Sequence, residues 1–388
     1  MLPVFIDLET RSAADLPEVG GWNYAAHPTT SLLTVSWSEE KDKYSVWLPT
    51  VDEFDPELLR PPSQSLLDLH LPGVDVYYGE DIPEELQALT SRPWCAHNAW
   101  TFDEVVWSKL MPNAIPVSWL DTYPLALACG LPGGINAIGE RLWGTGKYEV
   151  GSRIAKEATR IKDLRFVHPV NVPVGSLVQV ARYNVQDVRL LSWLWEEIQK
   201  TLNLPEEELG VLALHRKINT RGVKVDAGLM SALIRLSADC RANAVAEIAE
   251  LTGGGLNGIG DLRSRNRVFA WLESLGVSLG KNPSLRKEII QRYIEKNSRD
   301  TADFPEEAFV DEGDEEDTRV ANLPLALKVL ELRMAALRIT DSKLEAAAKS
   351  MDAEGIVRGL FVYWGAHTGR WAGRRIQIHN LPKPREGV

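Results

Sequence analysis

Cysteine is scarce in this chain. Its 388 residues hold three, Cys95, Cys129 and Cys240, far apart and with no Cys-x-x-Cys pair. That excludes a disulfide framework and a zinc ribbon, and it suits reduced thiols in a cytoplasmic compartment. Long apolar runs are also missing, and the opening MLPVFIDLET places acids where a signal peptide needs a basic and then apolar start. The sequence therefore predicts a soluble, unexported protein. Positive charge is the third shortage. With 43 Lys+Arg against 54 Asp+Glu the formal charge is −11, which argues against a basic nucleic-acid wrapper. The deficit is local, however: residues 300–317 hold ten Asp/Glu and no Lys or Arg, whereas residues 355–388 hold six Lys/Arg and one Glu. A near-neutral body carries an acidic insert and a basic end.

What is present is an ordinary globular composition, 44% hydrophobic and 25% charged, with length for two or three domains. Residues 3–8 read as a buried strand, and 32–37 and 44–48 as two more joined by a charged turn at 39–43, together a meander. A helix follows at 82–90, a short strand at 93–96, an amphipathic helix at 101–110 and a longer helix at 177–202. The first 203 residues thus read as an α/β unit, strands first and helices after. Beyond Pro205 the sequence loses strand-like alternation. Asp226 is suited to cap a long helix that Gly253 to Gly255 end, 271–275 and 285–296 read as short helices, and 323–351 as one long helix. The acidic run 300–317 reads as a solvated loop. Residues 358–364 (RGLFVYW) read as a strand before a Gly/Arg-rich segment.

Three groups of side chains suggest chemistry. Asp7 and Glu9 form D-L-E at the end of the first strand, where positions i and i+2 share a face. Two like charges there demand a cation, although most such pairs are solvated strand ends. Asp103, in HNAWTFDEVVW, opens a helix where a carboxylate also complements the dipole, so taken alone it reads first as a capping acid, and Asn98 is suited to cap the same helix. Tyr183 and Asp187, in RYNVQDVRLL, stand at i and i+4 on one helix face, where Tyr183 also reads as a core aromatic.

In combination and in this order, D-x-E, N-x3-F-D and Y-x3-D resemble the signature of the DEDDy 3′-to-5′ exonucleases. The chain is similar to the proofreading part of family A DNA polymerases, the DNA polymerase I class, and especially to phage members. The resemblance implies a ribonuclease H-like mixed sheet with flanking helices over residues 1–203, a mainly helical thumb-like region over 204–354 and a short palm-like strand segment over 355–388. It implies two Mg²⁺ or Mn²⁺ held by Asp7, Glu9, Asp103 and Asp187. Asp7, Glu9 and Asp187 would hold one cation, with Asp7 bridging to a second that Asp103 reaches mainly through water. Carboxylates are the ligands expected for such hard cations, and two of them stabilise the entering and leaving oxygens of phosphodiester hydrolysis. Tyr183 would position the attacking water, since a phenol with an ordinary pKa of about 10 is a poor base at neutral pH.

The resemblance extends further. HRKINTRGVKVD, residues 215–226, looks like the segment opening the polymerase portion, and YWGAHTGRWAGRRIQIHNLP, residues 363–382, is similar to the T-G-R…Q-N-L-P stretch at the start of the palm. It implies DNA contacts from Asn98, Thr368, Arg370, Arg374, Gln377, His379 and Asn380, where His379 replaces the family's usual Gln. The sequence ends at Val388 ahead of the family's polymerase carboxylates. The expectation is therefore a 3′-to-5′ DNA exonuclease that does not polymerise by itself, acting on single-stranded or frayed 3′ ends and primer-template, located in the host cytoplasm if phage-encoded. A second polypeptide carrying palm and fingers would complete it. The rival readings are a non-catalytic DNA-binding or assembly subunit and an RNA-trimming exonuclease.

Overall fold

In the computed structural model, the described residues are 2–49, 73–146, 149–161, 172, 174–277, 284–286, 289–291, 294, 316–337 and 340–380. Strand β1 (Val4–Arg11) alternates Val4, Ile6 and Leu8 on one face with Phe5, Asp7 and Glu9 on the other. Because it continues to Arg11, the two acids lie inside the strand and not at its end. Helix α1 (Leu16–Ala26) follows, kinked at Gly20, whose φ of 80° lies in the left-handed region that glycine adopts without steric cost. Next come β2 (Ser31–Glu40), β3 (Lys43–Leu48), β4 (Val74–Tyr78), α2 (Glu84–Ala88), β5 (Pro93–Ala96), α3 (Asp103–Leu110), β6 (Ser118–Asp121), α4 (Thr122–Ala128), α5 (Ile135–Trp143), α6 (Glu149–Ala158), α7 (Val174–Thr201) and α8 (Glu206–Arg221). The short strand β7 (Val223–Lys224) is followed by α9 (Ala227–Leu251), α10 (Ile259–Arg263), α11 (Arg265–Ser274), α12 (Glu316–Ala336) and α13 (Thr340–Ser350), then by β8 (Ile356–Val357), β9 (Phe361–Val362) and β10 (Ala372–Gly373).

Strands and helices interleave along the first 200 residues, instead of strands preceding helices. The six-stranded sheet has the order β4-β3-β2-β1-β5-β6, with β1, β2 and β3 antiparallel and β3-β4, β1-β5 and β5-β6 parallel. The expected meander is thus the antiparallel half of a mixed sheet, and β5 and β6 reach their places through helical crossovers. Both faces are covered. Phe5, Leu33, Tyr44 and Val46 pack with Val180, Val188 and Leu191 of α7, while Ile6, Trp37, Trp47 and Trp94 pack with Trp107 of α3. Trp94 meets Trp107 and Trp119 edge-on, at centroid distances of 4.9 and 5.4 Å. The sheet faces are apolar enough to stand alone as the core of this unit.

The chain divides into two compact units, residues 1–225 with 346–388, and residues 226–345. Helix α8 and residues 346–380 therefore group with the sheet. The second unit is helical among its described residues. Asp226 caps α9 by accepting from the Leu229 amide, and Leu262, Val268, Leu272, Val329 and Leu330 fill its core. Ser264 caps α11 through the Arg267 amide, so that helix starts six residues before the expected 271. The expected single helix 323–351 is two, α12 and α13; Thr340, Asp341 and Ser342 are helix-starting residue types inside the run. The strand expected over 358–364 shrinks to Phe361–Val362 because Gly359 and Trp364, at φ 65° and 51°, leave the extended region on either side. Residues 300–315 of the acidic run and half of the helix expected at 285–296 lie outside the described residues. No helix of the described residues is long and apolar enough to cross a membrane.

Candidate active site

Alternation on β1 and one turn of α7 create the central feature. Asp7, Glu9 and Asp187 each offer a carboxylate oxygen within 4.8 Å of the others, a group able to hold a metal ion. Asp7 and Glu9 point to the α7 face of the sheet for the reason the sequence implied, the two-residue period of a strand. Asp187, 3% exposed, descends from α7 between the core residues Val188 and Val185, and Tyr183 lies one turn before it, buried. A β-bulge follows Glu9 and separates the acid-bearing part of β1 from its last residues.

Asp103 stands outside that group of three but not outside its field. It is 2% exposed, and one carboxylate oxygen, Oδ1, is buried without a hydrogen-bond partner. Burial first, then the charges of Asp7 and Asp121, hold its carboxyl well above the usual range, against amide bonds from Asp103 itself and Leu8. Burial beside two other carboxylates accounts for a shift of this sign. Asp103 does not cap its helix, since the N-cap position is Phe102 and no side chain caps there. Nor does Asn98. Its φ of 76° puts it in a left-handed turn, and its Oδ1 accepts from Thr101 Oγ1 at 2.7 Å.

Two residues that the motifs did not mark organise this region. Asp121, at the end of β6, accepts from the amides of Asn98 at 2.8 Å, Trp100 at 3.1 Å and Tyr123 at 2.9 Å, and so shapes the turn that delivers Asp103. Burial pushes its pKa up to about 6 even though these backbone bonds, and one from Ala99, favour the charged form. Asn184 on α7 is fully buried and donates from Nδ2 to Asp7 Oδ2 at 2.6 Å. A sequence signal existed for each: Asp121 precedes the helix-starting Thr122, and Asn184 is a polar residue among apolar helix neighbours.

The residues expected to meet DNA lie on a different construction. Thr368, Arg370, Arg374, Gln377, His379 and Asn380 are exposed, and Asn98 is half-buried. Local turns hold the segment: the Ala366 amide donates to the Arg370 carbonyl at 3.1 Å and the Gly369 amide to that of Ala366 at 2.9 Å. Arg374 donates to Tyr123 Oη at 2.9 Å and lies over the same ring, and Asn380 Nδ2 donates to Gln377 Oε1 at 3.2 Å. The His379 ring lies 5.9 Å from that of Phe361 and against Gly373. Beneath them the chain is clamped. Asn219 bonds both the amide and the carbonyl of Phe361 at 2.9 Å, and Tyr363 Oη donates to Glu208 at 2.5 Å. Leu381 and Pro382 lie outside the described residues.

Among the described residues the group consists of carboxylates alone, hard oxygen donors of the kind that hold hard divalent cations. Among known proteins, no family model matches the chain. It is 26% identical over 397 aligned positions to a DNA polymerase of Bacillus phage SP02, covering 99% of this chain and 52% of that protein. Its fold matches the POL domain of Pol1 from M. smegmatis, solved in complex with DNA primer-template and dNTP, with a TM-score of 0.51, 14% identity and coverage of 99% of this chain and 53% of the other. The chain thus spans about half the length of the relatives it matches. Both likenesses run the length of the chain: in sequence it is similar to a phage DNA polymerase, and in fold to a Pol1 POL domain.

Proposed function

We propose that this chain is a metal-dependent 3′-to-5′ exonuclease that trims single-stranded or frayed DNA ends and releases nucleoside monophosphates. The observation that carries this reading is the approach of Asp7 and Glu9, on the interior strand β1, to Asp187 of α7, all within 4.8 Å. Three carboxylates that close repel unless cations hold them, and Asp103 adds a fourth with an unsatisfied buried oxygen. When bound, a pair of divalent cations would neutralise charge on the entering and leaving oxygens of a phosphodiester. The chain's own residues do the rest. Asp7, Glu9 and Asp187 bind one cation, Asp103 supports the second, and Tyr183, a turn from Asp187, orients the attacking water. The strand order β3-β2-β1-β5-β6, with acids on the central strand, supports a ribonuclease H-like reading of residues 1–203.

DNA as the substrate rests on the phage relative and on the primer-template bound to the structural neighbour. The exposed Thr368, Arg370, Gln377, His379 and Asn380 would line the DNA surface of a palm-like segment following a thumb-like region. The test is direct. Labelled single-stranded and 3′-recessed DNA are incubated with the chain and Mg²⁺, with chelator in place of metal, and with RNA of the same sequence. Shortening from the 3′ end that needs metal and disappears in Asp7→Ala supports the reading. Tight DNA binding without metal-dependent shortening would leave a DNA-binding subunit instead.

A further inference from the structure

Helix α7 carries an amide where packing alone calls for an apolar residue. Val180 and Val188, one turn to either side of Asn184, are fully buried core residues, and Asn184 is fully buried with them. A buried amide is costly unless its donors and acceptor are used, and here they are used along one line. Thr34 Oγ1 donates to Asn184 Oδ1 at 3.1 Å, and Asn184 Nδ2 donates to Asp7 Oδ2 at 2.6 Å. Asp7, when ionised, accepts only, so the opposite amide orientation would set two oxygens against each other.

The relay joins three elements at one carboxylate. Thr34 is fully buried on β2 and is the register partner of Glu9, Asp7 pairs with Ser36 on the same strand, and α7 lies across both strands. Asp7 Oδ2 is thereby tied to the buried part of α7, which restricts how freely the carboxylate can turn, and Asp7 is one of the three acids of the group formed with Glu9 and Asp187.

We propose that Asn184, itself oriented by Thr34, is a positioning residue that sets the affinity of the acidic group for its divalent cation. This rests on the metal reading above. The experiment is a calorimetric titration of the full chain with Mn²⁺ alone, for the wild type, Asn184→Leu, Thr34→Val and the double variant, with thermal unfolding in chelator as the check on folding. Asn184→Leu is expected to weaken Mn²⁺ binding by about tenfold, the size typical of losing a ligand's outer partner. Thr34→Val should weaken it less, and the double variant no more than Asn184→Leu, since both interrupt one line. In nuclease assays the Leu variant should recover its turnover at saturating Mn²⁺, with the KM for DNA unmoved, which a general loosening of the fold would not produce. Wild-type affinity in a folded Asn184→Leu chain overturns the assignment alone. Absence of Mn²⁺ binding by the wild type overturns the metal reading and the assignment with it. Should Asn184→Leu not fold, Thr34→Val decides, and an unchanged affinity there overturns it.

Discussion

The acidic group around β1 and the segment 363–380 share one compact unit but hold their functional side chains in opposite ways. In the acidic group, Asp103 and Asp187 are buried, and Asp7 is bonded by a residue 177 positions away in sequence. In the segment, Thr368, Arg370 and Gln377 are exposed on turns closed by bonds over a few residues, and only the strand beneath is pinned by α8. The first arrangement is one that positions reacting groups to fractions of an ångström, at the cost of burying like charge. The second suits a polyanion, whose phosphates ask for reachable charge and little geometric precision. On the proposed reading, preorganisation concentrates at the acidic group, while the grip on a long ligand is left adaptable.

That contrast can be broken at several points. The largest expected effect is at the acidic group: Asp7→Ala should lower the rate of 3′-end release on the order of a thousandfold, about 4 kcal/mol of transition-state stabilisation, while leaving DNA affinity in chelator close to wild type. A comparable loss of DNA affinity would mean that the two regions are not separable.

Next in size is the clamp under the exposed segment. Asn219→Ala leaves the Phe361 amide without its buried partner, removes one of the two side-chain contacts of its carbonyl, and should cost about 1 to 3 kcal/mol in chemical denaturation. Hydrogen exchange should rise at Phe361 and Tyr363 before it rises at β1.

His215 offers a pH test of the same clamp. Burial, with Arg374 as a lesser contributor, lowers its pKa against the opposing effect of the Phe361 carbonyl, so the folded chain holds it neutral. The folded state then binds fewer protons than the unfolded state. Its contribution to stability is complete above the ordinary value of about 6.5 and is lost as pH falls through it toward the depressed folded value. Denaturation midpoints measured from pH 8 down to pH 5 should decline, and the decline should flatten in His215→Gln.

The smallest effect is expected at Arg370. As one exposed cation facing phosphate, Arg370→Ala should reduce the slope of log affinity against log salt by about 1 and leave cleavage of short single strands unchanged. An altered rate on short strands would move Arg370 into the catalytic region.

How much of this was legible in the sequence depended on the range of the interaction. D-L-E could be placed on one face because strand geometry repeats every two residues, and Tyr183 with Asp187 because a helix repeats every 3.6. The cap of α9 was legible at Asp226 for the same reason, as was β5 at 93–96. The strand at 358–364 was overread because Gly359 and Trp364 turn out of the extended region, a property of the packed chain and not of its β-forming composition. Asp121 was passed over, although four backbone amides converge on it, since each belongs to a turn whose shape depends on β5 and β6 being neighbours.

By itself the sequence determined which residue types could hold a hard cation, their order along the chain, the local periodicity that pairs Asp7 with Glu9 and Tyr183 with Asp187, and a resemblance to DNA polymerases with which the phage relative and the fold match agree. Only the tertiary structure decided that the first pair and Asp187 meet, that Asp103 is buried beside them within the field of Asp7, and that Thr34 and Asn184 orient Asp7. The reason is physical. Periodicity is set by backbone sterics between near neighbours, whereas a hydrogen bond across 150 residues exists only once the strand order and the seating of α7 have been settled by burial of the whole core.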